Sequence, residues 1–280
     1  MRQSTRIARA AVFATAAGLL FLLFTYLLFP TGRIDTAIAA VIAPQGLTLA
    51  PAVHKTLLPG VAWDNLSLAD SQGELIQSRR LQLRPLLMPL LLGRAVLSGS
   101  ATIGSGQLDL EYALNGKDAL MLSVDGINLS DIPFFKTSLG ATATGNLWSR
   151  GTLLRSATGL GGDLKLEIKQ LEFSGVKLGA FSLPDVKGLK AQGMIRVSNG
   201  NARLESFTLA GEGIYMRLSG ELPKGTNVGV APLALTLEIM PKPEFLEKQK
   251  LVFMLLAKFM ASPGVYKVPI TGTLLKPQIL

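Results

Sequence analysis

From Leu47 onward one pattern recurs: apolar and polar residues alternate with a period of two. Leu108, Leu110, Tyr112 and Leu114 alternate with Asp109, Glu111 and Ala113, and Leu120, Leu122 and Val124 with Met121 and Ser123. The same register returns at Leu164, Leu166 and Ile168, at Ile214, Met216, Leu218, Gly220 and Leu222, and at Leu233, Leu235, Leu237 and Ile239. Such alternation marks half-buried β-strands with one apolar face. Gly99, Gly104, Gly106, Gly116, Gly126, Gly140, Gly145 and Gly151 punctuate the strands too closely for crossover helices, which excludes a doubly wound α/β fold. Ser198-Asn-Gly-Asn201 predicts a tight hairpin, because Asn-Gly tolerates the positive φ of a type I′ turn.

The expected fold is therefore mainly β: a long, curled antiparallel meander, forming an incomplete barrel or groove. About twelve to fifteen strands at about 4.8 Å each would span roughly 60 to 70 Å, and a sheet so wide must twist, curl or split. Its concave side would be apolar. Two segments interrupt the alternation. Arg84-Pro-Leu-Leu-Met-Pro-Leu-Leu-Leu-Gly93 reads as a short helix or turn packed against a sheet end. Residues 243–260 read as one amphipathic C-terminal helix of about five turns, stopped by Ser262-Pro263-Gly264. Phe245, Val252, Leu256 and Phe259 share one side of it, and Leu251, Phe253 and Leu255 widen its apolar surface. Strand alternation resumes over 265–274. The candidate groove lining is Leu166, Ile168, Met216, Leu218, Leu235 and Leu237 on the sheet, with Val252, Leu256 and Phe259 from the helix as a lid.

Residues 10–29 are uncharged and predominantly apolar, long enough as a helix to cross about 30 Å of hydrocarbon. Arg2, Arg6 and Arg9 precede them with no acidic residue, so the positive-inside bias places residues 1–9 in the cytoplasm and everything from Pro30 onward outside it. The expected organisation is a single-pass anchor at 10–29, a juxtamembrane helix at 30–46 and a β-rich domain at 47–280. A cleaved signal peptide is the competing reading, with Ala37-Ile-Ala39 as its cleavage site; the apolar run exceeds the usual signal core, and Ala39 lies well beyond it.

Composition narrows the chemistry. All 19 Asp+Glu follow the apolar run, against 25 of the 28 Lys+Arg, a mildly basic balance that does not suggest nucleic-acid binding. There is no cysteine, which removes disulfides, thiolate metal sites and a cysteine nucleophile. His54 is the only histidine and no G-x-S-x-G elbow occurs, so neither a clustered-histidine metal site nor a nucleophile triad is expected. Gly104-Ser-Gly106 and Gly159-Leu-Gly-Gly162 complete no phosphate-loop motif and read as turns. Asp109, Glu111, Asp163 and Glu167 alternate with apolar residues and belong to a solvated face. The expectation is a protein without cofactor, metal or catalytic residue. Arg79, Arg80, Arg84 and Arg94 surround Leu86–Leu92 and form the best basic-apolar patch, suited either to anionic lipid or an acidic partner, or to a guarded sheet edge. Asn65-Leu-Ser67 and Asn128-Leu-Ser130 match a glycosylation sequon that matters only on a eukaryotic secretory route.

The order of short motifs adds a resemblance. After the apolar run come Leu58-Pro-Gly-Val-Ala-Trp63, a Leu-x-Leu-x-Pro and Leu-Leu-Leu-Gly-Arg stretch over 81–94, Leu129-Ser-Asp-Ile-Pro133, Leu183-Pro-Asp-Val-Lys-Gly188 and the terminal Tyr266–Pro277. Together these resemble the type II secretion system protein N family in its δ-proteobacterial form, over nearly the whole chain. The resemblance implies an inner-membrane accessory, facing the periplasm, of the machine that exports folded proteins, in contact with other components of that machine. The strand-rich pattern, including Ile195–Leu204, is also similar to AsmA-like periplasmic proteins, which implies lipid movement along an apolar groove. An outer-membrane barrel fits the alternation but lacks an aromatic girdle, with two Trp and four Tyr in the chain.

Overall fold

The structure, a computed structural model, describes Tyr26 and residues 30–178, 181–182, 185–224 and 228–279. The expected cytoplasmic stretch 1–9 and, apart from Tyr26, the expected anchor 10–29 lie outside these residues. Among the described residues no helix is long and apolar enough to cross a membrane.

The juxtamembrane helix is α1 (Gly32–Ile42), prolonged by a 3-10 turn over Ala43–Gln45 and ended by Gly46 at φ 72°. Strands follow as β1 (Thr48–Ala50), β2 (His54–Lys55), β3 (Val61–Asp70) and β4 (Gly73–Pro85). After α2 (Leu87–Leu91) come β5 (Val96–Ile103), β6 (Gly106–Ala113) and β7 (Asp118–Asn128). A 3-10 turn and α3 (Phe134–Leu139) lead to β8 (Thr142–Ser156) and β9 (Gly159–Ser174). A separate small hairpin, β10 (Lys177–Leu178) with β11 (Phe181–Ser182), precedes β12 (Val186–Ser198), β13 (Asn201–Gly211), β14 (Ile214–Glu221) and β15 (Ala234–Pro241). Two short helices, α4 (Pro243–Lys248) and α5 (Lys250–Leu255), then lead to β16 (Met260–Ser262), β17 (Val265–Gly272) and β18 (Pro277–Ile279).

Apart from that small hairpin, all strands join one 16-stranded antiparallel sheet in which each long strand pairs with its neighbours in sequence. The sheet is a meander, as the alternation predicts, and is not closed into a barrel. Asn199 and Gly200, at φ 51° and 76°, make the expected tight turn between β12 and β13. Gly159–Gly162, read as a turn, instead opens β9 as extended strand, paired with the end of β8.

The registers align the apolar positions across the sheet. Trp63, Leu81, Ala101, Leu108, Val124, Ser149, Leu166, Gly193, Phe207, Leu218, Leu237 and Val268 form one continuous cross-strand row. A second row runs from Val61 and Leu83 through Gly99, Leu110, Leu122, Gly151, Leu164, Ile195, Leu204 and Gly220 to Leu235 and Ile270. Because cross-strand partners share a face, both rows line one side, and the carboxylates between them face the other.

The sheet curls around this apolar side. One rim carries the turns at 56–60, 86–95 and 114–117, and by strand register the connections holding Gly229 and Leu275, which bond each other, belong to it too. The opposite rim carries the turns at Gln72 and Gly140, and the last strands cross over to it: Gln45, leading into β1 opposite Ala69, meets Gly229, and Gln278 lines one small cavity with Gln72 and Gly140. The first is called the near rim below and the second the far rim. At the far rim, α3 is tied to the sheet by the Thr137 hydroxyl, which donates to the Glu74 carbonyl at 2.6 Å.

Two expectations are corrected. The five-turn helix over 243–260 is broken: α4 and α5 are separated at Gln249, whose φ of −112° and ψ of 29° leave the helical region, and a 3-10 turn over Ala257–Phe259 follows. The break lets Phe245 and Phe253 reach the same aromatic cluster, at 6.3 Å from each other and with Tyr266 5.2 Å from Phe253, an arrangement adapted to a curved floor. The segment around α2 does not pack on the sheet end: Leu87, Met88, Leu90, Leu91 and Leu92 are all exposed.

Candidate functional site

The apolar face is the most developed feature of the molecule, and it is sealed unevenly. Over the later strands, β9 to β17, Ile168, Met216, Leu235, Leu237 and Leu256 are buried in the main core, with Leu218, Val252 and Phe259 packed against it. The helical segment closes this part from above. Of the nine residues expected to line a groove, eight are core packing and Leu166 alone stands half-buried outside the cluster. A second core forms where Ile34 and Ile38 of α1 pack on Val53, Trp63 and Leu66.

Between these two cores a third, small one of Ile103, Val124 and Ile127, with Leu108 and Leu122 packed on it, lies toward the far rim; toward the near rim the same face is not covered. Leu83, Leu110, Leu122, Leu164 and Ile195 are half-buried, while Leu97 and Tyr112 are exposed. Leu97, Tyr112, Leu120, Leu153, Gly162, Val197 and Ala202 extend the apolar rows one step nearer the rim. The result is an apolar floor across β5 to β13 that deepens into a packed core at one end and opens at the other. Glycines keep the floor shallow: a Cβ on Gly193 would stand 2.6 Å from the Phe207 ring and one on Gly151 2.5 Å from Leu164. Apart from the exposed Tyr112 at the rim, no side chain of these rows is titratable, so the floor suits an aliphatic chain.

The opposite face is polar. A shallow concavity of about 610 Å³ lies there, lined by Trp148, Arg150, Lys165, Glu167, Lys169 and Met194 among others. Lys169 Nζ sits 4.6 Å above the Trp148 ring. Beside it Arg196 reaches Asp163 at 3.1 Å and Glu205 at 3.2 Å. The hydrogen bond to Asp163, and then the charges of Glu205 and Asp163, hold its guanidinium above its usual range. These are exposed pairs on a solvated surface. His54 lies 3.4 Å from Asp64, whose carboxylate also meets Arg80 at 3.7 Å.

The predicted arginine patch is split. Arg84 and Arg94 stand at the near rim, where Arg94 faces Asp118 at 3.5 Å, whereas Arg80 lies inside β4 on Asp64 and Arg79 is its neighbour along that strand. Strand spacing separates what the sequence lists together: from 79 to 84 the chain advances about 16 Å. Sequence reasoning missed the tip of the β2–β3 turn. Leu57 is 100% exposed, Leu58 is exposed, and the Tyr26 hydroxyl donates to the Thr56 carbonyl at 2.7 Å, with the Leu58 and Gly60 carbonyls at 3.1 and 3.0 Å. The signal was available: two leucines directly before Pro59-Gly60, and a tyrosine three residues before the end of the apolar run.

Comparison with known proteins finds no matching family, no similar curated protein and no matching solved structure. The class the fold defines is a mainly β protein built on a single curled antiparallel meander with an apolar inner face.

Proposed function

We propose that this chain is a non-enzymatic protein of the bacterial cell envelope, held in the inner membrane by residues 10–29 with its N-terminus in the cytoplasm, that serves the type II secretion machinery from the periplasm. The order of motifs carries this reading, and four of them coincide with positions that build the fold. Leu58–Trp63 forms the β2–β3 turn and enters a core, 81–94 joins β4 to the exposed α2, Leu129–Pro133 sets up α3, and Tyr266–Pro277 spans β17 into β18. A shared motif order at such positions supports a shared fold, and the role follows by resemblance.

A second reading is favoured by a different observation. The open apolar floor between the two cores matches an acyl chain, which supports an AsmA-like lipid-binding or lipid-transfer role in outer-membrane assembly. One experiment separates the two: deletion of the gene, with the secreted proteome and the entry of a bulky hydrophobic antibiotic followed in parallel. Loss of specific folded exoproteins behind an intact barrier is expected for the secretion role. A leaky barrier with normal secretion transfers the assignment to lipid handling.

A further inference from the structure

The near rim carries a set of exposed apolar side chains that neither core uses. We infer that this rim is a second membrane contact: the tip of the β2–β3 turn and the α2 segment lie in the headgroup region of the same bilayer that holds residues 10–29. The inference rests on the anchored reading above and extends it from the apolar run to the folded domain.

Depth is the first argument. Tyr26 belongs to the apolar run, near its exported end, where tyrosine marks the level at which hydrocarbon meets water. Its hydroxyl is surrounded by three carbonyls of the 56–60 turn, and Lys55 Nζ stands 5.9 Å from its ring. Whatever plane Tyr26 occupies, that turn shares it, and Leu57 extends from the turn fully exposed. Val61 pairs with Leu83 and Pro85 with Leu97, so the β4–β5 connection emerges at the same rim, with Leu91 and Leu92 each 81% exposed and Met88 nearly as much.

Rigidity is the second. The exposed leucines are not on an isolated loop. Asn115 accepts from the Ala95 N–H at 2.9 Å and donates to the Gly93 carbonyl at 2.8 Å, which fixes the β6–β7 turn to the end of the α2 connection. Arg155 donates to the Ala113 and Leu114 carbonyls, each at 3.1 Å, and ties in β8. An apolar surface of this kind, held in place without covering, marks an interaction site.

Charge selects the occupant. Over 54–60, 84–95 and 114–118 the basic side chains are Lys55, Arg84, Arg94 and Lys117, and the acidic one is Asp118. Leucines ringed by lysine and arginine fit an anionic lipid surface, where apolar groups enter about 5–10 Å and each nearby cation adds attraction.

Because the chain has no cysteine, single cysteines report depth directly. Leu57→Cys, Leu91→Cys and, as the far-rim control, Leu251→Cys are each made in the full chain, coupled to an environment-sensitive dye and reconstituted into vesicles of phosphatidylethanolamine and phosphatidylglycerol. All three positions are exposed, so the fold is spared. Labels at 57 and 91 are expected to be quenched by nitroxide-bearing lipid and to be about threefold less accessible to iodide than the label at 251. Iodide access at 57 and 91 equal to that at 251 overturns the inference while leaving the anchor intact. Release of the whole protein by alkaline carbonate would instead sink the anchored reading and this contact with it.

Discussion

The side-chain carbonyl of Gln45 accepts the backbone N–H of Gly229 at 3.1 Å across 184 residues of sequence. Gly229 in turn accepts from the Leu275 N–H, so the first and last parts of the sheet meet at one residue. Gln45→Ala removes that acceptor and should cost about 1 kcal/mol, with faster amide exchange confined to the 228–230 segment; Gln45→Glu, which keeps an acceptor, should lose less. Hydrogen exchange by mass spectrometry measures both.

The helix break makes opposite demands on adjacent leucines. Leu256 is 0% exposed in the main core whereas Leu255 is 60% exposed. Leu256→Ala should cost about 3 kcal/mol and Leu255→Ala less than about 0.5 kcal/mol in urea unfolding. Similar losses at both sites would mean that the segment is one continuous helix packed on a broader face.

Glycine requirements differ just as sharply. A Cβ on Gly220, at φ 146°, would stand 2.3 Å from the Ala234 carbonyl and obstruct the β14–β15 ladder, while one on Gly200, at φ 76°, meets nothing within 4 Å. Gly220→Ala is expected to destabilise by about 3 kcal/mol and Gly200→Ala by about 1 kcal/mol, the latter from backbone conformation alone. Thermal melts of the two variants give the ranking.

Polar substitution of the inner face distinguishes floor from core. Leu235 is buried and Leu164, its row-mate, is half-buried. Leu235→Asn should unfold the domain by leaving an unpaired amide in the core, at a cost of roughly 3 kcal/mol or more. Leu164→Asn should preserve the far-ultraviolet spectrum and reduce co-purified lipid measured by mass spectrometry. Wild-type protein carrying no lipid at all would count against the lipid reading.

The strands were legible because each has a wet face and a dry face, which writes a period of two into the sequence; the hairpin at Asn199-Gly200 was legible because its backbone excludes most residues. What was not legible depends on contacts distant in sequence. No local rule says that Gln45 meets Gly229, and Gln249, where 243–260 divides, is not a helix-breaking residue. The arginine patch failed for a simpler reason: Arg79 and Arg84, close in sequence, stand about 16 Å apart along an extended strand. The leucines around α2 have the composition of a core, and only the three-dimensional structure shows them left outside it.

The strict hairpin-by-hairpin order has a consequence for how this chain acquires its shape. Each long strand needs only the one before it as a template, so loop closure stays inexpensive and the sheet can lengthen in sequence order as the chain is delivered N-terminus first. The seam is different in kind. Gln45 is among the earliest parts of the domain to arrive, yet its partner at 229 and the turn at 275 come last, so the contact that joins the two ends of the sheet forms only when the final strands are in place.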